Sequence, residues 1–238
     1  MKGKITGVSL GTGDPELITL KGLKALQQAD IIFYPGSVSD VGEKDSYALR
    51  ILEQLPVDLH KAKGYYLRMN GVEEEADRIY QEVYQEAIGE FNYGKSVVLV
   101  SEGDISFYST FLYVLSKFRS TDIPVQLIPG VSSLHHAAAA GLFPLGLKEE
   151  KIVIVPRLSS SQEIDTLLQK FDTIVIIKVR SVMQQLLQFL VDQSFQCLYA
   201  ERLGTPEEFL LQDLRLLNDR NIPYFSLLFI KKSKSVLH

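Results

Sequence analysis

Val97-Val98-Leu99-Val100-Ser101-Glu102-Gly103-Asp104-Ile105-Ser106-Phe107-Tyr108-Ser109-Thr110 is the stretch on which the reading of this chain turns. Its first four residues are apolar and mostly β-branched, as suits a strand buried on both faces. The chain then turns at Gly103 and presents Glu102, Asp104, Ser106, Tyr108, Ser109 and Thr110 in quick succession. A buried strand that runs into a polar, glycine-bearing loop is where open α/β sheets keep their ligand chemistry. Two further stretches have the same character. One is Val125-Gln-Leu-Ile-Pro129-Gly130-Val-Ser132-Ser133; the other, Ile5-Thr-Gly7-Val-Ser-Leu-Gly11-Thr-Gly13-Asp14-Pro15, opens the chain. Three related strand-to-loop transitions predict one composite site.

Around these stretches the periodicity alternates. Strands are expected at 4–10, at 30–35 (stopped by Pro35 and Gly36), at 96–101 and at 125–128. Helices are expected at 17–28, 43–54, 71–89, 109–118 and onward from Val131. The order β-α-β-α-α-β-α-β-α implies a mostly parallel sheet covered by helices. The second half has strands at 151–156, 173–179, 196–201, 208–214 and 224–231, with helices at 161–170 and 181–193. Their short connections suggest a mixed sheet. The pattern breaks at Arg119-Ser-Thr-Asp-Ile-Pro124. This predicts an α/β protein with an N-terminal domain over 1–121 and a C-terminal domain over 122–238.

Composition bounds the function. With 238 residues, 46% hydrophobic and 23% charged, the chain has ample material for a core. A net charge of −4 speaks against a general nucleic-acid binder. The single cysteine, Cys197, excludes an internal disulfide and a Cys-rich zinc site, and reads as a small buried hydrophobe. No signal-like apolar segment opens the chain and no run reaches about 18 apolar residues, so no membrane partner is expected and the expected location is cytoplasmic.

Three motif matches fail on physical grounds. Gly89-Glu-Phe-Asn-Tyr-Gly94-Lys95-Ser96 has the spacing of a phosphate-binding loop, which needs a strand before it and a helix after it; here the order is reversed. Gly11-Thr-Gly13 begins a dinucleotide fingerprint, but Glu16 stands where its third glycine belongs. His135 and His136 are neighbours on a helix and point about 100° apart, with no third ligand evident, so no metal is expected.

Together the three loops carry a resemblance. The segment from Gly7 to Leu23, with Ala29-Asp-Ile-Ile-Phe33, resembles the N-terminal signature of the tetrapyrrole methyltransferases. Glu102-Gly-Asp-Ile-Ser-Phe-Tyr108 resembles that family's second loop, and Pro129-Gly-Val-Ser-Ser133 with the alanine-rich helix and Gly141-Leu-Phe-Pro144 resembles its third. Phe107-Tyr-Ser-Thr-Phe111, Ile177-Lys178-Val179, Glu201-Arg202 and Pro223-Tyr-Phe-Ser-Leu227 look most like the members that methylate C20 of precorrin-2 or cobalt-factor II. One departure stands out: position 105 is Ile where the family loop usually has Pro, which restores a backbone N–H.

The resemblance implies two αβα domains, a homodimer, and S-adenosylmethionine as methyl donor in the cleft between the domains. It assigns donor binding to Glu102, Gly103, Asp104, Ser106, Tyr108, Ser109, Thr110, Ser132, Ser133 and Lys178. Asp104 and Tyr108 are the candidates for catalysis. The small-molecule acceptor would be a ring bearing many carboxylates, for which Arg68, His135, His136, Lys178, Arg180 and Arg202 are candidate partners. A family member acting at another ring position, or a non-catalytic protein that binds the donor or a tetrapyrrole, fits the same residues.

Overall fold

The computed structural model describes residues 3–68, 72–158, 160, 162–190, 195–217 and 220–232. By internal contacts the chain divides into two compact units, Met1–Ser133 and Leu134–His238.

The first unit holds β1 (Lys4–Ser9), α1 (Leu20–Gln27), β2 (Ile31–Val38), β3 (Lys44–Asp45), α2 (Tyr47–Leu52), β4 (Ala62–Arg68), α3 (Glu73–Asn92), β5 (Ser96–Ser101), α4 (Phe111–Phe118) and β6 (Val125–Ile128). Strands β4, β2, β5, β1 and β6 lie side by side and all run parallel; β3 adds a two-residue antiparallel stub to β2. Alternation sorts the strand side chains onto two faces. Val97 and Leu99 join a cluster with Tyr80, Val83, Phe111 and Val114 of α3 and α4. Val98 and Val100 join the opposite cluster with Leu26, Ala48 and Ile51 of α1 and α2. The sheet is therefore sandwiched between helices.

The boundary expected at 121/122 precedes β6, but β6 pairs with β1 from Ile5↔Val125 to Val8↔Ile128, and the division into units falls after Ser133. Strand β4 has no counterpart in the sequence reading. Strand β2 also runs on through Pro35 and Gly36, where a stop was expected. The carbonyl of Pro35 accepts from the Ser46 hydroxyl at 2.6 Å, so this edge of the residue faces α2. A residue's N and O point to the same side of a strand, so the missing N–H costs no bond to β4. Helix α2 starts later than expected because Ser46 caps it, accepting from Leu49 N–H at 3.0 Å. The expected start of the third helix at Gly71 lies outside the described residues. Its C-terminal turn, where the Gly94 N–H donates to Phe91 O at 2.9 Å, leads into β5 and makes Gly94-Lys95-Ser96 a helix-to-strand connection.

The second unit holds α5 (Ser133–Ala140, its first residue in the first unit), β7 (Ile152–Val155), α6 (Gln162–Lys170), β8 (Thr173–Ile177), α7 (Met183–Leu190), β9 (Phe195–Glu201), β10 (Phe209–Leu211) and β11 (Ser226–Lys232). The expected helix ends at Ser161 and at 191–193 lie outside the described residues. The sheet order is β10-β9-β11-β8-β7; only β7 and β8 are parallel, so the sheet is mixed as expected. Helices α6 and α7 cover one face around Ile174, Ile176 and Leu228. On the other face Gly141 at the end of α5 lies so close to Leu198 that a Cβ there would sit 2.5 Å from its Cδ2, and Phe143 packs on Phe229. Cys197 is buried, and burial pushes its thiol up to about 12. No helix among the described residues is long and apolar enough to cross a membrane.

Candidate functional site

The parallel ladder sets the site. β1 pairs with β5 from Lys4↔Ser96 to Ser9↔Ser101 on one side and with β6 on the other. The carboxyl ends of the three strands are therefore level, and the three loops singled out in the sequence leave the sheet next to each other. The first two loops are joined at once. Leu10 N–H donates to Ser101 O at 2.9 Å, Gly11 N–H to Gly103 O at 3.2 Å and Gly103 N–H to Gly11 O at 2.6 Å. Both glycines have positive φ, +79° and +62°, a backbone state that side chains oppose. A Cβ on Gly103 would meet nothing within 4 Å, so the space over this loop is open.

Ser9 ties the second and third loops. Its hydroxyl, wholly buried, donates to Ile128 O at 2.9 Å and accepts the N–H of Ile105 at 2.9 Å. The N–H gained by having Ile instead of Pro at position 105 is thus in use, and the Ile105 side chain is buried in the core beside Phe111. Gly130 packs over Ser9; a Cβ there would stand 2.5 Å from Ser9 Cβ. Sequence reasoning missed Ser9. Its signal was a hydroxyl at the carboxyl end of an otherwise core-forming strand.

Asp104 completes the clamp. Its Oδ2 accepts Gly130 N–H at 2.8 Å, and its Oδ1 accepts the Ser106 N–H at 2.9 Å and the Ser106 hydroxyl. Oδ2 thus joins the Glu102–Thr110 loop to the Pro129–Ser133 loop, while Oδ1 braces the turn of its own loop at Ser106. Ser109 is likewise internal: its hydroxyl donates to Ser101 Oγ at 2.7 Å and accepts Phe111 N–H at 3.1 Å at the start of α4. Thr110 precedes α4, Ser132 is buried, and Ser133 opens α5. Tyr108 differs. It holds φ at +49°, is 48% exposed, and stacks edge-on against Phe107 at 4.7 Å. With Ser106 it is the exposed polar side of the loop. A non-glycine residue in this backbone state is held there by its surroundings.

Glu102 is part-buried. Burial pushes its carboxyl above the ordinary value, against the pull of the backbone N–H groups of Ala48 and of Glu102 itself. The same surroundings raise Tyr65, whose hydroxyl is buried beside this carboxylate.

Lys178 belongs to the second unit. It is exposed, its φ is +57°, and its Nζ lies 5.8 Å from the centre of the Tyr224 ring. Of the other cations, Arg68 is paired with Glu75 at 3.7 Å, Arg202 with Glu207, and His136 Nε2 lies 3.6 Å from Glu208; His135 and Arg180 are exposed. Among the described residues no three His, Cys, Asp or Glu side chains gather as metal ligands would.

Comparison with known proteins adds to this geometry. Residues 4–215 match the family model of the tetrapyrrole (corrin/porphyrin) methylases. The cobalt-precorrin-2 C(20)-methyltransferase of Salmonella typhimurium is 27% identical over 237 residues, covering 98% of both chains. The precorrin-2 C(20)-methyltransferase of a Sinorhizobium species is 25% identical over 240 residues, covering 96% of this chain and 95% of its own. Among solved structures, the uroporphyrin-III C-methyltransferase of Thermus thermophilus in complex with S-adenosylhomocysteine superposes with a TM-score of 0.63 at 20% identity, over 96% of this chain and 97% of that one.

Proposed function

The chain belongs to the tetrapyrrole (corrin/porphyrin) methylases, and from that membership we propose that it transfers the methyl group of S-adenosylmethionine to C20 of precorrin-2 or cobalt-factor II in cobalamin biosynthesis. What carries the reading is the meeting of the three signature loops at the level ends of β5, β1 and β6, in a chain that aligns over 98% and 96% of its length with two C20-methyltransferases.

The donor supplies a sulfonium-bound methyl group. In the transfer the C–S bond breaks as the bond to the ring carbon forms, and the hydrogen on that carbon leaves as a proton. Positive charge on sulfur is spread in the transition state, so a water-poor site favours it, and alignment of carbon, methyl and sulfur contributes the rest. The loop residues suit these tasks. The open space over Gly103 lets a ligand approach backbone groups. Glu102, Ser106, Tyr108, Ser109, Thr110, Ser132, Ser133 and Lys178 are assigned to donor binding, and Tyr108 to orienting the reactants. Asp104 acts by positioning: it holds the two loops at a fixed spacing. The same reading includes a homodimer and a cytoplasmic location.

The test incubates purified protein with methyl-labelled S-adenosylmethionine and either precorrin-2 or cobalt-factor II, and reads the product by NMR. A labelled methyl at C20 is expected, and the preferred acceptor tells whether the ring carries cobalt. Donor binding with no transfer to either ring, or a methyl at another carbon, overturns the C20 assignment.

A further inference from the structure

The second sheet ends in a row of cations. β7, β8 and β9 all finish at the edge where β11 begins, as their registers show: Val155↔Ile176, Ile177↔Leu227 and Glu201↔Ser226. Just past those ends come Arg157, Lys178 and Arg202, with Arg180 in the turn that follows Lys178. All four are exposed. Directly before β11, Tyr224 and Phe225 are 40% and 45% exposed and stack edge-on at 5.2 Å. Arg202 N–H donates to Phe225 O at 3.0 Å, which continues the ladder by one residue and fixes Arg202 beside the aromatics.

Two independent features separate this row from an ordinary charged surface. Lys178 and Arg202 both hold left-handed backbone, with φ of +57° and +50°, at matching strand ends. Such strain in non-glycine residues concentrates at ligand sites. Further, among the described residues no carboxylate pairs with Arg157, Lys178 or Arg180, in a chain whose net charge is −4. Arg202 alone is paired, with Glu207. Across the order β9-β11-β8-β7 the sequence reads cation, aromatic, cation, cation over about 14 Å, three strand spacings of about 4.8 Å.

We infer that this sheet end, through Arg157, Arg180 and Arg202 with the exposed rings of Tyr224 and Phe225, recognises the carboxylate rim of the macrocyclic acceptor. The inference rests on the function proposed above. Spaced guanidinium groups match carboxylates on separate side chains of one ring, and the aromatic edges offer apolar contact to its rim. The site selects for a ring that keeps its carboxylates; donor affinity does not depend on Arg157 or Arg180.

The test measures binding of uroporphyrin, and of coproporphyrin with its fewer carboxylates, by fluorescence quenching, and binding of S-adenosylhomocysteine by calorimetry. Arg157→Gln and Arg180→Gln are compared with the parent protein at two salt concentrations. Each substitution is expected to raise the Kd for uroporphyrin about fivefold, to raise that for coproporphyrin less, and to flatten the salt dependence, with the thermal midpoint and the S-adenosylhomocysteine Kd unchanged. Unchanged uroporphyrin affinity in the Arg157→Gln, Arg180→Gln double variant, or equal loss for both ligands, overturns the inference while the parent's C20 transfer still stands. A parent protein that binds S-adenosylhomocysteine but neither porphyrin, and transfers no methyl to precorrin-2 or cobalt-factor II, overturns both.

Discussion

Ile105 and Ser9, 96 positions apart in sequence, are joined by a buried hydrogen bond from the Ile105 N–H to the Ser9 hydroxyl, which in turn donates to Ile128 O. The bond exists because residue 105 is not proline. Ser9→Ala leaves a buried N–H and a buried carbonyl short of a partner and should cost about 2 kcal/mol in urea unfolding. Ile105→Pro removes the same N–H and a buried side chain, and should cost more. Equal stability of Ile105→Pro and the parent protein would show that the bond contributes nothing.

Asp104 accepts on both oxygens, and an amide offers one acceptor oxygen. Asp104→Ala should therefore raise the donor Kd about tenfold as the two loops lose their fixed spacing, and Asp104→Asn, whose one oxygen can still accept the Gly130 N–H but then gives up the Ser106 N–H, should fall between it and the parent protein. Calorimetry with S-adenosylhomocysteine reads this directly. If both variants bind the donor normally but turn over slowly, Asp104 works on the acceptor and not as a clamp.

Burial raises the Glu102 carboxyl from its ordinary 4.5. Below that pH, folded and unfolded chains both hold the proton. As pH rises through 4.5 the unfolded chain releases it first, so stability declines until the folded value is passed and is level beyond it. Glu102→Gln removes this decline. Chemical unfolding at a series of pH values from 4 to 8 should show the variant gaining on the parent protein as pH rises; a gap that stays constant would refute the assignment.

Glu201 is 2% exposed and is held by the Arg220 guanidinium and the Tyr199 hydroxyl. Arg220 also lies 3.9 Å over the Phe209 ring. Arg220→Met strands a buried carboxylate and should cost about 3 kcal/mol, the partly exposed arginine placing it at the low end for such pairs. Adding Glu201→Gln should recover most of the loss, because a neutral amide needs no cation. A double variant no better than Arg220→Met would place the loss in the arginine's stacking on Phe209.

The strand-to-loop transitions were legible because a run such as Val97–Val100 has few alternatives to a buried strand, and Gly103 with its polar neighbours marks where it ends. That the three loops meet was an expectation from their likeness; the pairing of β1 with both β5 and β6 supplies it. Strand β4 was missed because Ala-Lys-Gly-Tyr-Tyr-Leu-Arg carries a glycine and two charges. Gly64 is there for room: a Cβ would stand 2.7 Å from the Tyr66 ring and 2.8 Å from that of Tyr34. The part of Asp104 was hidden for another reason. Its type announced chemistry, while its partner in the other loop, the N–H of Gly130, is a backbone group that no side-chain pattern encodes.

The two-way bond between Gly11 and Gly103 also bears on how the loops open. Neither amide proton can meet water unless both loops part together, so the two should show one shared protection free energy in deuterium exchange. Loops that open as a pair lose their conformational entropy when the chain folds, and little is left to lose when a ligand arrives.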